Sequence, residues 1–252
     1  MKTRAAQHLL KREAWLRAFH FGKGLADMTR RMIIPFLFGI AGAAVLISLG
    51  IWQVQRLEWK QTILSQIEAR ISDSPVTLPA TPDPANDKYL PVTIVGRILP
   101  DGMRVLTSIK QVGPGHRLIN LFETQDGRRV LLDRGFLALA AIAGSLPVGP
   151  VTVIGNLHWP QETDSFTPDP DIAKGIWFAR DVDKMSATLN AEPVLVIARE
   201  ITPNDASVWP QPVTIQGIPN DHLQYAITWF LLAIVWLGMT ALLLWRIRQK
   251  TN

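Results

Sequence analysis

Two stretches of the chain, 33–52 and 225–245, carry no charged side chain and hardly a polar one. A helix crossing a bilayer needs about 20 predominantly apolar residues, and at 1.5 Å per residue each run spans roughly 30 Å, the thickness of the hydrocarbon core. Both are read as transmembrane helices, placed at 32–55 and 222–245. A cleaved signal sequence is a poor account of the first run, whose core is too long and is followed by no small-x-small cleavage site.

Past the first run a helical period persists, with Leu57, Ile63, Leu64, Ile67 and Ile71 on one face. The helix is therefore expected to continue beyond the membrane through Arg70, ending near Ser74-Pro75, with Pro79, Pro82 and Pro84 forming a linker. From Tyr89 the pattern changes to short β-type runs at 89–99, 103–109, 117–123, 128–137, 151–158, 176–179 and 194–201. Turns are expected at Pro100-Asp101-Gly102, Gly113-Pro114-Gly115 and Gln125-Asp126-Gly127. Asp181 can cap a short helix over 182–189 that ends near Asn190, and 161–174 reads as a polar loop. The fold class expected is two transmembrane helices flanking a mainly antiparallel β (α+β) periplasmic domain over 56–221, long enough to bury a real core.

Charge sets the orientation. Residues 1–31 carry a net +6, 56–221 a net −4 and 246–252 a net +3, together the +5 of the chain. Lys and Arg beside a span are retained on the cytoplasmic side, so both termini are expected in the cytoplasm of a bacterial cell, with the central domain on the outer face of its inner membrane. The basic balance is thus a topology signal, and a nucleic-acid partner is not expected because the folded domain is slightly acidic. The first 27 residues mix basic side chains with Trp15, Phe19 and Phe21. They read either as a basic amphipathic helix on the inner membrane surface or as an extension upstream of a start at Met28, the second being favoured.

Cysteine is absent. That removes disulfides, thiolate metal sites, iron–sulfur clusters and thiol redox chemistry. Gly113-Pro114-Gly115 lacks the third glycine and the βαβ context of a dinucleotide loop, so it is read as a turn. The serines lie in no G-x-S-x-G element, and neither His116 nor His158 stands at a metal-pair spacing. An enzyme is not expected.

Three segments remain. In the first, Leu49-Gly-Ile-Trp-Gln-Val-Gln-Arg-Leu-Glu-Trp-Lys60, a helix puts Trp52, Arg56 and Trp59 on one face at the outer interface. An aromatic belt with a snorkelling arginine gives the same spacing. The second, Val130-Leu-Leu-Asp-Arg-Gly-Phe136, is an apolar run that ends in an acid, a base and a glycine; an Asp133–Arg134 pair with a bulge at Gly135 competes with a binding role. In the third, Asn220-Asp-His-Leu-Gln-Tyr-Ala-Ile-Thr-Trp-Phe230, the spacing sets His222, Tyr225, Ala226 and Trp229 on one stripe. Asn220 or Asp221 can cap this helix, and His222 is either a cap-side histidine or a ligand.

Taken together, these segments resemble the Surfeit locus protein 1 family of membrane proteins that assist assembly of heme–copper terminal oxidases. The resemblance rests on the tryptophan-glutamine and arginine-x-x-tryptophan-lysine pattern ending at Lys60, on Asp133 to Phe136, and on His222-Leu-x-Tyr-Ala-x-Thr-Trp-Phe230, in that order. It covers roughly residues 30–245, and departs from the family where Phe136 replaces a common tryptophan. It implies an assembly factor for cytochrome c oxidase that binds heme a and delivers it to the catalytic subunit. The partners it implies are that subunit, heme a synthase and the lipid bilayer. Under this reading His222 is the axial metal ligand, Tyr225, Trp229, Phe230 and Trp52 line the ring, and Arg56 and Arg134 pair with the propionates. A small-x-x-x-small pair, Gly39 and Ala43, would let the two spans pack closely. The competing expectation is a cofactor-free membrane scaffold that steadies an oxidase subunit.

Overall fold

The computed structural model describes residues 31–110, 112–142 and 144–250; both readings of the first 27 residues lie outside them. The helices are α1 (Lys2–Ile71, described from Arg31), α2 (Val182–Leu189) and α3 (His222–Gln249). The strands are β1 (Val76–Thr77), β2 (Pro91–Ile109), β3 (Gly113–Thr124), β4 (Arg129–Ala138), β5 (Val151–Leu157), β6 (Ile176–Trp177) and β7 (Leu195–Thr202). Packing divides the chain into two units, Met1–Thr62 with Pro219–Asn252, and Ile63–Ile218.

The first unit is an antiparallel helix pair. Among the described residues, Arg31–Ile71 and His222–Gln249 are long and apolar enough to cross a membrane, and little of their apolar surface is covered by protein. What is covered forms one seam. Gly39, Ala43, Gly50 and Gln53 are buried along α1, and Ala226 and Ala233 along α3, at the alternating three- and four-residue steps of a helix–helix contact. The seam is tight because it lacks side chains on one side: a Cβ at Gly39, Gly42 or Gly50 would run into Thr240, Trp236 or Phe230 respectively. Trp236 Nε1 donates to the Gly39 carbonyl at 2.9 Å, a bond that only a bare backbone allows. The expected Gly39–Ala43 pair therefore belongs to a longer glycine and alanine stripe.

In the second unit, β2, β3, β4, β7 and β5 pair in that order and β5 pairs back to β2, closing the path. The interior is filled by Val92, Ile119, Phe122, Leu131, Leu157, Leu195 and their neighbours, with Met185 of α2 packed against them. Asp181 caps α2 by accepting from the Lys184 amide, and Asn190 ends it in the left-handed conformation, as the sequence indicates.

The sheet is mainly antiparallel but mixed: the four long ladders are antiparallel, while β4 pairs parallel with β7, and β2 pairs parallel with β1 and β6. The short helix α2 intervenes before β7 and lets it run alongside β4, a long-range choice that no local pattern encodes. The structure corrects two expected turns, at 100–102 and at 113–115, the latter being paired strand at the start of β3. Residues 100–102 do not form a hairpin. They are a bulge inside one continuous β2, whose register with β3 shifts between Ile98 and Gly102. Pro100 has no amide to offer the ladder, and Asn120 Nδ2 fills the gap by donating to the Leu99 carbonyl at 3.0 Å.

Candidate functional site

The seam of the helix pair is apolar until its last turn. There Gln53, only 9% exposed, meets His222, the first residue of α3, with Oε1 and Nδ1 2.8 Å apart. An amide oxygen accepts and cannot donate, so this contact puts the ring proton on Nδ1. Nε2 has no hydrogen-bond partner among the described residues. The same end of the pair holds a spare acceptor, Asn220 Oδ1, buried without a partner among those residues. Lys60 Nζ, two turns beyond Gln53, donates to the Pro219 carbonyl and closes the end.

Around this contact the aromatic side chains face outward. Trp52, Trp59 and Tyr225 are each at least half exposed, and Trp229 is half-buried. Arg56, one turn past Gln53, is exposed and lies over the Trp59 ring at 3.8 Å. The predicted stripe is therefore rotated: His222, Ala226, Trp229 and Ala233 follow the seam, while Tyr225 points away from it. Nor is Trp52 on the seam; its neighbour Gln53 is. Asp221 stands at the N-cap of α3 but makes no side-chain capping bond, and His222 is held by Gln53 across the helix pair rather than serving the cap. An imidazole with one nitrogen engaged and the other open, beside exposed aromatic surface and one exposed guanidinium, is a donor set suited to an iron porphyrin with acidic side arms. No group of three or more His, Asp or Glu side chains that could hold a bare metal ion occurs among the described residues.

The family model of the SURF1 family matches residues 40–234, which take in most of the glycine seam, the whole sheet unit and the His222 turn. This chain belongs to the SURF1 family. It is 32% identical to a SURF1-like protein of Rickettsia felis over 206 residues, covering 75% of this chain and 88% of the relative. It is 29% identical to Surfeit locus protein 1 of Xenopus tropicalis over 240 residues, 85% and 76% of the two chains. With Surfeit locus protein 1 of Homo sapiens it shares 29% over 210 residues, 72% and 68%.

The remaining SURF1-family segment, Asp133 to Phe136, lies inside the sheet unit and is fully engaged there. Asp133 and Arg134 do not pair with each other. The β3–β4 register skips Arg134, passing from Ile119 opposite Asp133 to Leu118 opposite Gly135, so Arg134 is the bulged residue. Its guanidinium, 4% exposed, bonds to Asp205 and, at 3.1 Å, to Asn120 Oδ1. Burial pushes the Asp205 carboxyl up, but hydrogen bonds from Ser207 and Arg134 outweigh it and hold the group below the usual range. A guanidinium committed in this way has no free edge for a propionate. Gly135 is required here: its φ is +123°, and a Cβ would collide with the Trp209 carbonyl.

Asp133, fully buried, accepts from Arg117 Nε at 2.7 Å and lies 3.5 Å from Arg180, while its other oxygen takes the Gly135 amide at 3.0 Å. Arg180 also pairs with Glu162. His158, stacked on Tyr89 with ring centroids 5.2 Å apart, lies within the field of these charges. Burial, then Arg180 and Lys88, lower its pKa to about 4, so it is neutral at pH 7. Sequence reasoning missed this network because its members are scattered from Lys88 to Arg180. It also missed Gln53, although the steps 39, 43, 46, 50, 53 along α1 carry the seam straight to it.

Proposed function

We propose that this protein is a membrane-anchored assembly factor for cytochrome c oxidase and related heme–copper oxidases that binds heme a and delivers it to the catalytic subunit. It acts as a carrier and not as an enzyme. The observation that supports the reading best is His222, whose Nδ1 is held by Gln53 while Nε2 is left without a partner among the described residues. Family membership gives the same direction. Two apolar helices with basic flanks support a bacterial inner-membrane protein with both termini cytoplasmic and the sheet unit periplasmic.

In this reading the iron of the cargo takes Nε2 of His222. Exposed Trp52 and Tyr225, with half-buried Trp229 and Phe230, offer apolar surface to the ring, and Arg56 offers its guanidinium to a propionate. The catalytic subunit of the oxidase receives the cargo, and heme a synthase is the natural donor.

The test is to express the chain in cells that make heme a, purify it and record a visible spectrum with pigment extraction. Wild type is expected to carry heme a. His222→Ala is expected to lose the axial-ligand band while still accumulating in the membrane, since one hydrogen bond contributes only about 1 kcal/mol net. Wild-type protein without pigment would favour the cofactor-free scaffold, and an unchanged spectrum in His222→Ala would move the ligand elsewhere.

A further inference from the structure

We infer that Gln53 is a positioning residue that sets the tautomer of His222 and so makes Nε2 the available donor nitrogen. This rests on the carrier reading for its use, but the tautomer is a property of the heme-free protein. A neutral imidazole in water prefers its proton on Nε2, the arrangement that would block ligation through that atom. Gln53 reverses the preference by presenting an acceptor to Nδ1 at 2.8 Å.

The backbone makes this contact specific. Gly50, one turn before Gln53, leaves no side chain between α1 and the Phe230 ring, and the two helices approach closely there. Gln53 is thereby buried against the first turn of α3, and an amide desolvated in that way needs a partner. His222 is the only side chain that bonds to it among the described residues.

The choice of an amide has a consequence for delivery. A carboxylate on Nδ1 strengthens a histidine ligand by drawing off part of the ring proton, whereas a neutral amide orients the ring with less effect on its basicity. Gln53 thus fixes the geometry of the ligand while keeping its bond to iron weak enough for transfer.

The experiment uses the full-length chain in nanodiscs, labelled with ¹⁵N-histidine and free of heme, with His222 assigned by difference from His222→Ala. Wild type is expected to show a protonated Nδ1 and a bare Nε2. Gln53→Met, close in shape and without an acceptor, is expected to move the proton to Nε2, and Gln53→Glu to return it to Nδ1. Titration with heme a should then show about 10- to 100-fold weaker binding for Gln53→Met. Gln53→Glu should bind at least as tightly as wild type and release heme more slowly to an acceptor such as apomyoglobin.

An Nε2-protonated wild type, an unchanged tautomer in Gln53→Met, or Gln53→Glu binding more loosely than wild type would each overturn the inference. If Gln53→Met does not accumulate, wild type and Gln53→Glu still decide it, because both must carry the proton on Nδ1. The expected tautomers in a wild-type chain that takes up no heme a would support the role of Gln53 while sinking the carrier reading.

Discussion

The end of the helix pair and the interior of the sheet unit use similar side chains to opposite ends. In the sheet unit every strong charge near the core is answered: Asp133 by Arg117 and Arg180, Glu162 by Arg180, Asp205 by Arg134. At the end of the helix pair, among the described residues, Arg56 has only the face of Trp59, and His222 uses one nitrogen of two. Satisfied polar groups stabilise a unique packing, while incompletely satisfied ones are available to a ligand. Under the proposed function, the contrast puts stability in the Asp133–Phe136 segment and binding at the Gln53–His222 contact, although both belong to the motifs that carry the family resemblance.

The hardest test of that division is Asp133→Asn. The substitution keeps the shape and an oxygen for the Gly135 amide, but leaves Arg117 and Arg180 largely buried around a neutral group. Removing one partner from a buried ionic cluster costs about 3–5 kcal/mol. Hydrogen exchange of the β3 and β4 amides should therefore speed up strongly in the full-length protein, with the heme band unchanged. Loss of the band without faster exchange would place Asp133 in binding and break the division.

A second test uses pH. His158 has a folded pKa of about 4 against an ordinary value near 6.5, so the unfolded chain binds more protons between those limits. Stability contributed by its neutral form is complete above about pH 6.5 and is lost as pH falls toward 4. Glu162 adds to this at lower pH: burial raises its pKa, but the bonds and charge of Arg180 outweigh that and lower it, so its contribution fades as pH falls through the folded value. With partial exposure taken into account, the His158 share is on the order of 1–2 kcal/mol. Thermal melts of the sheet unit at pH 7 and pH 5 should differ in wild type, and the difference should shrink in His158→Asn. An equal difference in both would assign the acid sensitivity elsewhere.

How far the sequence could be read follows the range of each interaction. The apolar runs, the strands flanking Gly127 and the capped helix α2 are local patterns, and they stand where the sequence put them. The parallel β4–β7 pairing and the Arg134–Asp205 bond join residues about 65 to 70 positions apart and leave no local trace. Helical spacing singled out His222 and Trp229 but also Tyr225, because three- and four-residue steps both count as neighbours until a partner helix selects among them. The partner selected the glycine side of α1, and with it Gln53 in place of Trp52.

The smallest structural effect, and the finest test of the contrast, belongs to Arg56→Ala. The side chain is exposed and, among the described residues, makes a single cation–π contact at 3.8 Å, worth about 0.5–1 kcal/mol, so folding and membrane level should hardly change. Its proposed charge partner is a carboxylate on the cargo and not the iron. Less heme a should therefore survive purification and salt washing, while the pigment that remains keeps the absorption band set by His222. Retention measured against salt concentration separates this from a packing effect, because a screened ion pair weakens as salt rises. Wild type should approach the variant at high salt. If the two differ equally at all salt concentrations, or if Arg56→Ala loses the band as His222→Ala does, Arg56 acts by holding the helix end together, and the exposed guanidinium is not a propionate partner.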